Sequence, residues 1–345
     1  MKVYTYIFRI ICMILITAKP SFAYQPGNSH GTLGIYLEND IFGGTDRYYT
    51  SGTKISWSSA DLYHLSESPE SNPLTDLWNT IPDIQGNRYQ KNLLYSIGQS
   101  IYTPSDTRST TLAPNDRPYA AHLYLGVGVA WKNAEVRNTL AINVGVVGPW
   151  AYGEEAQRLV HDARGLDHPR GWDNQLHNEL GLTAVYLRNW RLPKITRRRG
   201  IDWELLPHAG LALGNVQAYA NLGGELRCGL NLPDDFGTPS IAPGVSTSTP
   251  VDGALAAQRS PIDLGIYVFG RIDGRAVFHN IFLDGNTFGE SHSVPRKLGV
   301  ADLSVGVSAN YKNTKLAYAL VYRTKEFKGQ KDAQVFGTVS VNFAF

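Results

Sequence analysis

The chain has 345 residues, of which 43% are hydrophobic and only 18% charged, with 34 Gly, 19 Tyr, 12 Phe, 7 Trp, two Cys and a formal charge of +2. This aromatic content and small net charge exclude an intrinsically disordered protein. Two cysteines exclude a disulfide-built scaffold, and the absence of basic clustering argues against a nucleic-acid partner.

Lys2 and Arg9 flank the start of an unbroken apolar run, Ile10 to Ile16, followed by Pro20 and the small-x-small site Ser21-Phe22-Ala23. That order is an export signal cleaved after Ala23, so residues 1–23 read as a signal peptide and 24–345 as one exported domain. The signal takes with it Lys2, Arg9 and Lys19, which leaves the mature chain near neutral, and Cys12, which leaves Cys228 without an intramolecular partner.

Beyond the signal there is no apolar run of about 18 residues, so no transmembrane helix is expected. Segments of period two recur instead, at 32–40, 49–58, 91–101, 119–131, 137–147, 177–189, 201–213, 217–230, 262–283, 300–311, 315–325 and 333–345. Val339, Val341, Phe343 and Phe345 alternate with Thr338, Ser340, Asn342 and Ala344. Leu303, Val305 and Val307 alternate with Ser304, Gly306 and Ser308, and Leu123, Leu125 and Val127 with His122, Tyr124 and Gly126. Such alternation suits a soluble sandwich as well as a membrane barrel. The export signal, the aromatic strand ends, the Gly/Ser/Thr-rich second face and the terminal Phe345 favour an all-β fold, a 12-stranded antiparallel transmembrane barrel of the outer membrane. The long stretch 262–283 reads as one strand bulged at Asp273-Gly274, which keeps the strand number even. With both termini periplasmic, the connections at 41–48, 102–118, 148–176, 214–216, 284–299 and 326–332 are extracellular. Those at 59–90, 132–136, 190–200, 231–261 and 312–314 are periplasmic. The inward residues of the clearest strands are mostly Gly, Ser, Ala and Asn, which suits a filled barrel better than a charged, water-lined pore.

The unusual residues gather at the extracellular end. Glu38-Asn39-Asp40 leads into the Gly-rich loop Ile41-Phe42-Gly43-Gly44-Thr45-Asp46-Arg47-Tyr48-Tyr49-Thr50-Ser51-Gly52. A carboxylate, an amide and turned carbonyls are the oxygen ligands of a hard cation such as calcium; the same residues also make an ordinary hairpin turn. In the 148–176 loop, Gly153 to Gly165 reads as a helix opened by Glu154 and Glu155 and closed by Arg164 and Gly165. Ala156, Leu159, Val160 and Ala163 form a stripe expected to dock against protein. Gln157 and His161, four apart, share another face, where His161 is either a rigidly held base or a solvated loop histidine. His122, His168, His177 and His292 also lie at this end. No Gly-x-Ser-x-Gly elbow accompanies Ser51 or the serines flanking His292, so a serine mechanism is weakly supported.

Taken in order, Glu38-Asn39-Asp40, Thr45 to Gly52, Gln99 to Ser105, Asn115 to Ala120, Gly145 to Pro149, and Gly153 to Gln157 with His161 resemble the lipid A 3'-O-deacylase family of Gram-negative outer membranes. The resemblance implies an enzyme that hydrolyses the ester of the 3'-linked acyloxyacyl chain of lipid A. It implies His161 as general base, Gln157 as its helix neighbour and Thr50 as a site hydroxyl. Asp40 and Asn39 are implied at a Ca2+ site. For a lipid A phosphate, Arg108 in the loop Asp106-Thr107-Arg108-Ser109 is the nearest candidate. The expected partner is lipid A or lipopolysaccharide of the outer leaflet, reached by a monomer whose site faces outward. The alternatives are a non-catalytic pore or adhesin and a serine-dependent outer-membrane phospholipase.

Overall fold

The computed structural model describes residues 31–44, 47–65, 76, 78–82, 84, 88–196, 200–239, 241 and 264–344. The signal 1–23, Thr45 and Asp46 of the first loop, most of the Pro/Ser/Thr/Ala-rich stretch 239–261 and the terminal Phe345 lie outside the described residues.

Twelve long strands form the wall: β1 (Thr32–Asn39), β2 (Tyr48–Ser58), β3 (Gln90–Thr103), β4 (Ala120–Lys132), β5 (Val136–Val147), β6 (Glu179–Trp190), β8 (Ile201–Gly214), β9 (Gln217–Leu230), β10 (Leu264–Asn280), β11 (Gly299–Tyr311), β12 (Thr314–Arg323) and β13 (Gln334–Ala344). A two-residue strand, β7 (Ile195–Thr196), adds to the edge of β8. Each strand pairs antiparallel with the next; β1 pairs with β13, and β6 with β8, so the sheet closes into a 12-stranded barrel. Closure leaves no unpaired strand edge for an apolar medium to meet.

Burial separates a membrane barrel from a sandwich. The apolar members of each alternation point outward and are bare, with Leu125 65%, Val305 66% and Leu222 70% exposed, whereas Lys54 and Arg227 are fully buried inside. Outward apolar and inward polar is the reverse of a water-soluble fold.

The interior is far more charged than the clearest strands suggested. Arg227 donates to Glu204 at 2.5 Å and to Asp235 at 2.6 Å, and Lys315 reaches Asp235 at 2.6 Å. Asp235 belongs to the β9–β10 connection, whose described residues fold into the lumen: Thr238 N donates to Glu225, and Ile241 N to Glu38 at 3.0 Å. Burial disfavours the Asp235 charge, but Lys315 and Arg227 hold its carboxyl well below the usual carboxylate range. The described part of this connection, 231–239 with Ile241, fills one end of the lumen. The other end is filled by the short helix Ile281–Asp284, whose Phe282 stacks on Tyr102 at 4.1 Å. Between them lies a cavity of ≈ 90 Å³ lined by Tyr49, Tyr102, His122 and Tyr219 among others.

Two features of β10 differ from the sequence reading. The segment 262–283 leaves the sheet at Asn280, whose side chain accepts from Phe282 N and caps the helix over Ile281–Asp284. The register shift in β10 lies between Val277 and His279, not at Asp273-Gly274, which stay in register with Asp302 and Ala301.

The buried ion network predicts that Arg227→Met, which leaves Glu204 and Asp235 unneutralised, costs about 3–5 kcal/mol. Its unfolding in detergent, followed by the gel-mobility shift on heating, is expected well below that of the wild type, while Leu226→Ala on the lipid-facing side changes it much less. Equal midpoints for Arg227→Met and wild type would contradict the network's role.

Candidate functional site

At the rim where β1 meets β2, alternation sends neighbouring motif residues to opposite sides of the wall. Glu38 faces the lumen, where it accepts from Tyr49 Oη at 2.8 Å and from Ile241 N. Asn39 takes the opposite side, and its Oδ1 accepts from Ile41 N at 2.9 Å, capping a 3-10 turn over Asp40–Gly43. Asp40 is fully buried in that turn, and its Oδ2 accepts from Arg47 N at 2.6 Å. β2 shifts register between Tyr49 and Ser51. Thr50 thereby meets Thr103 across the outer face of the wall, hydroxyl to hydroxyl at 2.8 Å, while the adjacent Tyr49 and Tyr102 pack inward.

The loop helix α1 (Gly153–Arg164) lies against the outside of β3 and β4. Outward-pointing Ile101 and Ala121 form one cluster with Tyr119, Ala151 and Trp172, and Leu123, Val146 and Ala156 pack onto it. Gln99 Nε2 donates to the carbonyl oxygens of Ala151 (2.6 Å) and Tyr152 (3.3 Å), which ties the helix entry to β3. A Cβ at Gly153 would stand 2.4 Å from the Ala121 Cβ, so only glycine permits this approach.

Of the stripe expected to dock, only Ala156 packs against the wall cluster. Gly153, Gln157 and His161 are the buried residues of α1, whereas Leu159 and Val160 are 70% and 43% exposed, and Ala163 is exposed. An apolar stripe turned outward at this height has the same surroundings as the bare Leu and Val of the wall. In that medium the polar stripe, not the apolar one, seeks protein.

His161 is held by its own helix terminus. Gly165 adopts the left-handed conformation (φ 65°), Leu166 N returns to His161 O at 2.9 Å, and the turned chain brings the Asp167 carbonyl oxygen 2.6 Å from His161 Nδ1. A carbonyl only accepts, so Nδ1 carries the proton and Nε2 is the ring's accepting atom, the arrangement a general base requires. One turn earlier, Trp172 Nε1 donates to Gln157 Oε1 at 3.0 Å. The indole can only donate, so this bond fixes the amide with Nε2 on its other side, buried and with no hydrogen-bond partner among the described residues.

Asn39, Asp40 and Thr50 therefore sit on β1 and β2, and Gln157 and His161 on a helix packed over β3 and β4, all at one end of four adjacent strands. The Thr50–Thr103 bond lies between the two groups. Arg108 is exposed, with its amide bonded to Asp106, in a loop tied to the α1 loop by Arg170 N to Thr107 O. The rival histidines go elsewhere. His122 lines the lumen cavity, His168 pairs with Asp162, His292 bonds the Asp116 carbonyl, and His177 is exposed. Asp40 is a fully buried carboxylate beside the Asn39 side-chain amide and the carbonyls of the 3-10 turn, oxygen ligands of the kind that fit a hard cation. No group of three or more His, Cys, Asp or Glu comes together to hold a metal ion among the described residues. Sequence reasoning missed Trp172 and the Asp167 carbonyl and gave Gln99 a place in a motif but no role; all three position the site rather than line it. A backbone carbonyl has no sequence signal, but a Trp following Pro169 and Gly171 was a legible anchor.

The family described as outer membrane protein LpxR matches residues 9–345. Among solved structures the chain is similar to LpxR from Salmonella typhimurium, at 23% sequence identity and a TM-score of 0.69, covering 91% of this chain and 100% of that one. A looser likeness, at 11% identity and a TM-score of 0.42, is to the beta domain of the Bordetella autotransporter Brka, covering 91% of this chain and 98% of that one. A search of the curated proteins gives no match.

The Asp167 contact predicts that a singly protonated His161 carries its proton on Nδ1, the minor tautomer of free histidine. Ring-nitrogen NMR of 15N-histidine-labelled protein, assigned against His161→Gln, is expected to show it; an Nε2–H tautomer would contradict the positioning described.

Proposed function

The chain belongs to the LpxR family of outer membrane proteins, and from that premise we propose that it is a lipid A deacylase hydrolysing the 3'-linked acyloxyacyl ester at the extracellular end of the barrel. The observation that carries this reading is the pressing of Gln157 and His161 against the outside of the wall while the apolar side of α1 faces away. Such a site opens to the outer leaflet, where an acyl chain reaches it without leaving the membrane.

In the proposed reaction His161 Nε2 takes a proton from a water molecule whose oxygen attacks the ester carbonyl. The C–O bond to the sugar then breaks, and the proton held by His161 passes to the departing sugar oxygen, leaving a carboxylic acid and a free hydroxyl. The Asp167 carbonyl keeps the ring oriented and stabilises its protonated form. Gln157 Nε2, aimed by Trp172, donates toward the acyl oxygen as negative charge develops there. Calcium, held by Asp40 with Asn39 and turn carbonyl oxygens, would supply positive charge for the same oxygen. Thr50, fixed by Thr103, lines the floor between the wall residues and the helix. The filled lumen speaks against the pore alternative.

In an expressing strain His161→Ala is expected to lower deacylation by about a hundred- to ten-thousandfold, read by lipid A mass, with heat-modifiability unchanged. Trp172→Phe, which frees the Gln157 amide to flip, is expected to lower the rate less than His161→Ala does. Full deacylation by His161→Ala would remove the histidine from the mechanism. Chelation is expected to abolish hydrolysis in detergent and added Ca2+ to restore it; a rate indifferent to chelator would remove the cation.

A further inference from the structure

On the other side of β13 from Asp40, the wall carries a notch that the reaction does not use. β11 begins only at Gly299 and β12 ends at Arg323, while β10 runs on to Asn280, so the rim dips over these strands. Val277 N to Leu298 O, Lys297 N to Glu326 O and Thr324 N to Ala301 O fix the connections around the dip. The result is an open groove of ≈ 820 Å³ whose lining includes Lys297, Lys325 and Lys331. None of these three lysines makes an ion pair among the described residues. The other charges lining the groove are already matched, Arg275 by Asp302 at 2.7 Å and Asp332 by Arg47 at 3.1 Å. Three cations lining one open groove give it a local positive charge that a multivalent anion neutralises.

The wall below is apolar. Tyr322, Leu298 and Leu303 are all exposed on the outer face beside and beneath the lysines. A ligand that satisfies both surfaces has an anionic head at the rim and hydrocarbon along the wall. The groove also touches the proposed reaction site through one residue. Arg47 pairs with Asp332 at the groove's edge through its guanidinium, and its backbone N–H donates to Asp40.

We propose that Lys297, Lys325 and Lys331 form a phosphate-binding subsite that holds the phosphorylated sugar head of an outer-leaflet glycolipid while its ester reaches Asp40 and His161. The assignment of the glycolipid as substrate rests on the deacylase reading; the binding of phosphate by the groove does not. Lysine suits this task as a mobile point charge that follows a phosphate without demanding one geometry.

The test compares wild type with the triple variant Lys297→Gln, Lys325→Gln, Lys331→Gln, in two arms. In the kinetic arm, KM for bisphosphorylated lipid A in detergent is expected to rise about tenfold, with kcat within twofold and KM for the dephosphorylated lipid unchanged. An unchanged KM, or an equal rise for both lipids, overturns the subsite. In the binding arm, His161→Ala with and without the three lysine substitutions is titrated with micelles of the bisphosphorylated lipid and, separately, with inorganic phosphate. Loss of micelle binding in the lysine variant supports the subsite even where wild type proves inactive on lipid A, and equal binding with and without the lysines overturns it. Inorganic phosphate competing as well as the lipid, mole for mole, assigns free phosphate as the ligand and overturns the glycolipid assignment.

Discussion

Strict alternation of side chains across a closed wall is the constraint on which everything else hangs. Every strand must present alternate residues to lipid and to the lumen, and closure through β1–β13 and β6–β8 leaves no edge on which to escape that rule. It is why three consecutive residues of one motif do three different things. Glu38 joins the lumen network, Asn39 turns out to cap the rim, and Asp40, where the strand ends and a 3-10 turn begins, is folded back into a buried position. The register shift in β2 then brings Thr50 to the same outer side.

The same medium dictates how α1 docks. In water the Leu159–Val160 side would be pressed onto the protein and His161 left in solvent. Against a wall whose outer face already meets hydrocarbon, apolar contact with lipid costs nothing extra, and burying Gln157 and His161 where Trp172 and the Asp167 carbonyl satisfy them is the better solution. His161 and Gln157 are thereby held rigidly against the outer face of the wall, where the proposed reaction puts the acyl ester. Inside, the Arg227–Glu204–Asp235–Lys315 network and the inturned 231–239 segment make the barrel a solid support for that boundary and not a channel.

Much of this was legible in the sequence, for identifiable reasons. Period-two alternation survives intact in strands with lipid on one side, so all twelve long strands were read, with most ends within two residues. Asn39-Asp40 and His161 stood out because polar, ligand-type residues interrupt apolar patterns there. What failed to read were features set by partners distant in sequence. Ile281-Phe282-Leu283 is as apolar as a strand, and only the Asn280 cap and the stacking on Tyr102 make it a helix. The amphipathic pattern of α1 gives two faces but not which of them meets protein, because the sequence of the helix does not contain the polarity of its surroundings. The charged lumen escaped because its members are spread over separate strands and a connection, one or two to each.

The central claim is that the acyl ester is held outside the barrel, between the wall residues Asp40 and Thr50 and the helix residue His161. The most direct measurement is a crystal structure of the protein with a lipid A analogue carrying an amide in place of the 3' ester. The acyl carbonyl is expected in the seam between α1 and the outer face of β1–β3, within hydrogen-bonding reach of Gln157 and with room for one water at His161 Nε2. A carbonyl found in the lumen beside His122, or an analogue bound elsewhere on the wall with the seam closed, would contradict it.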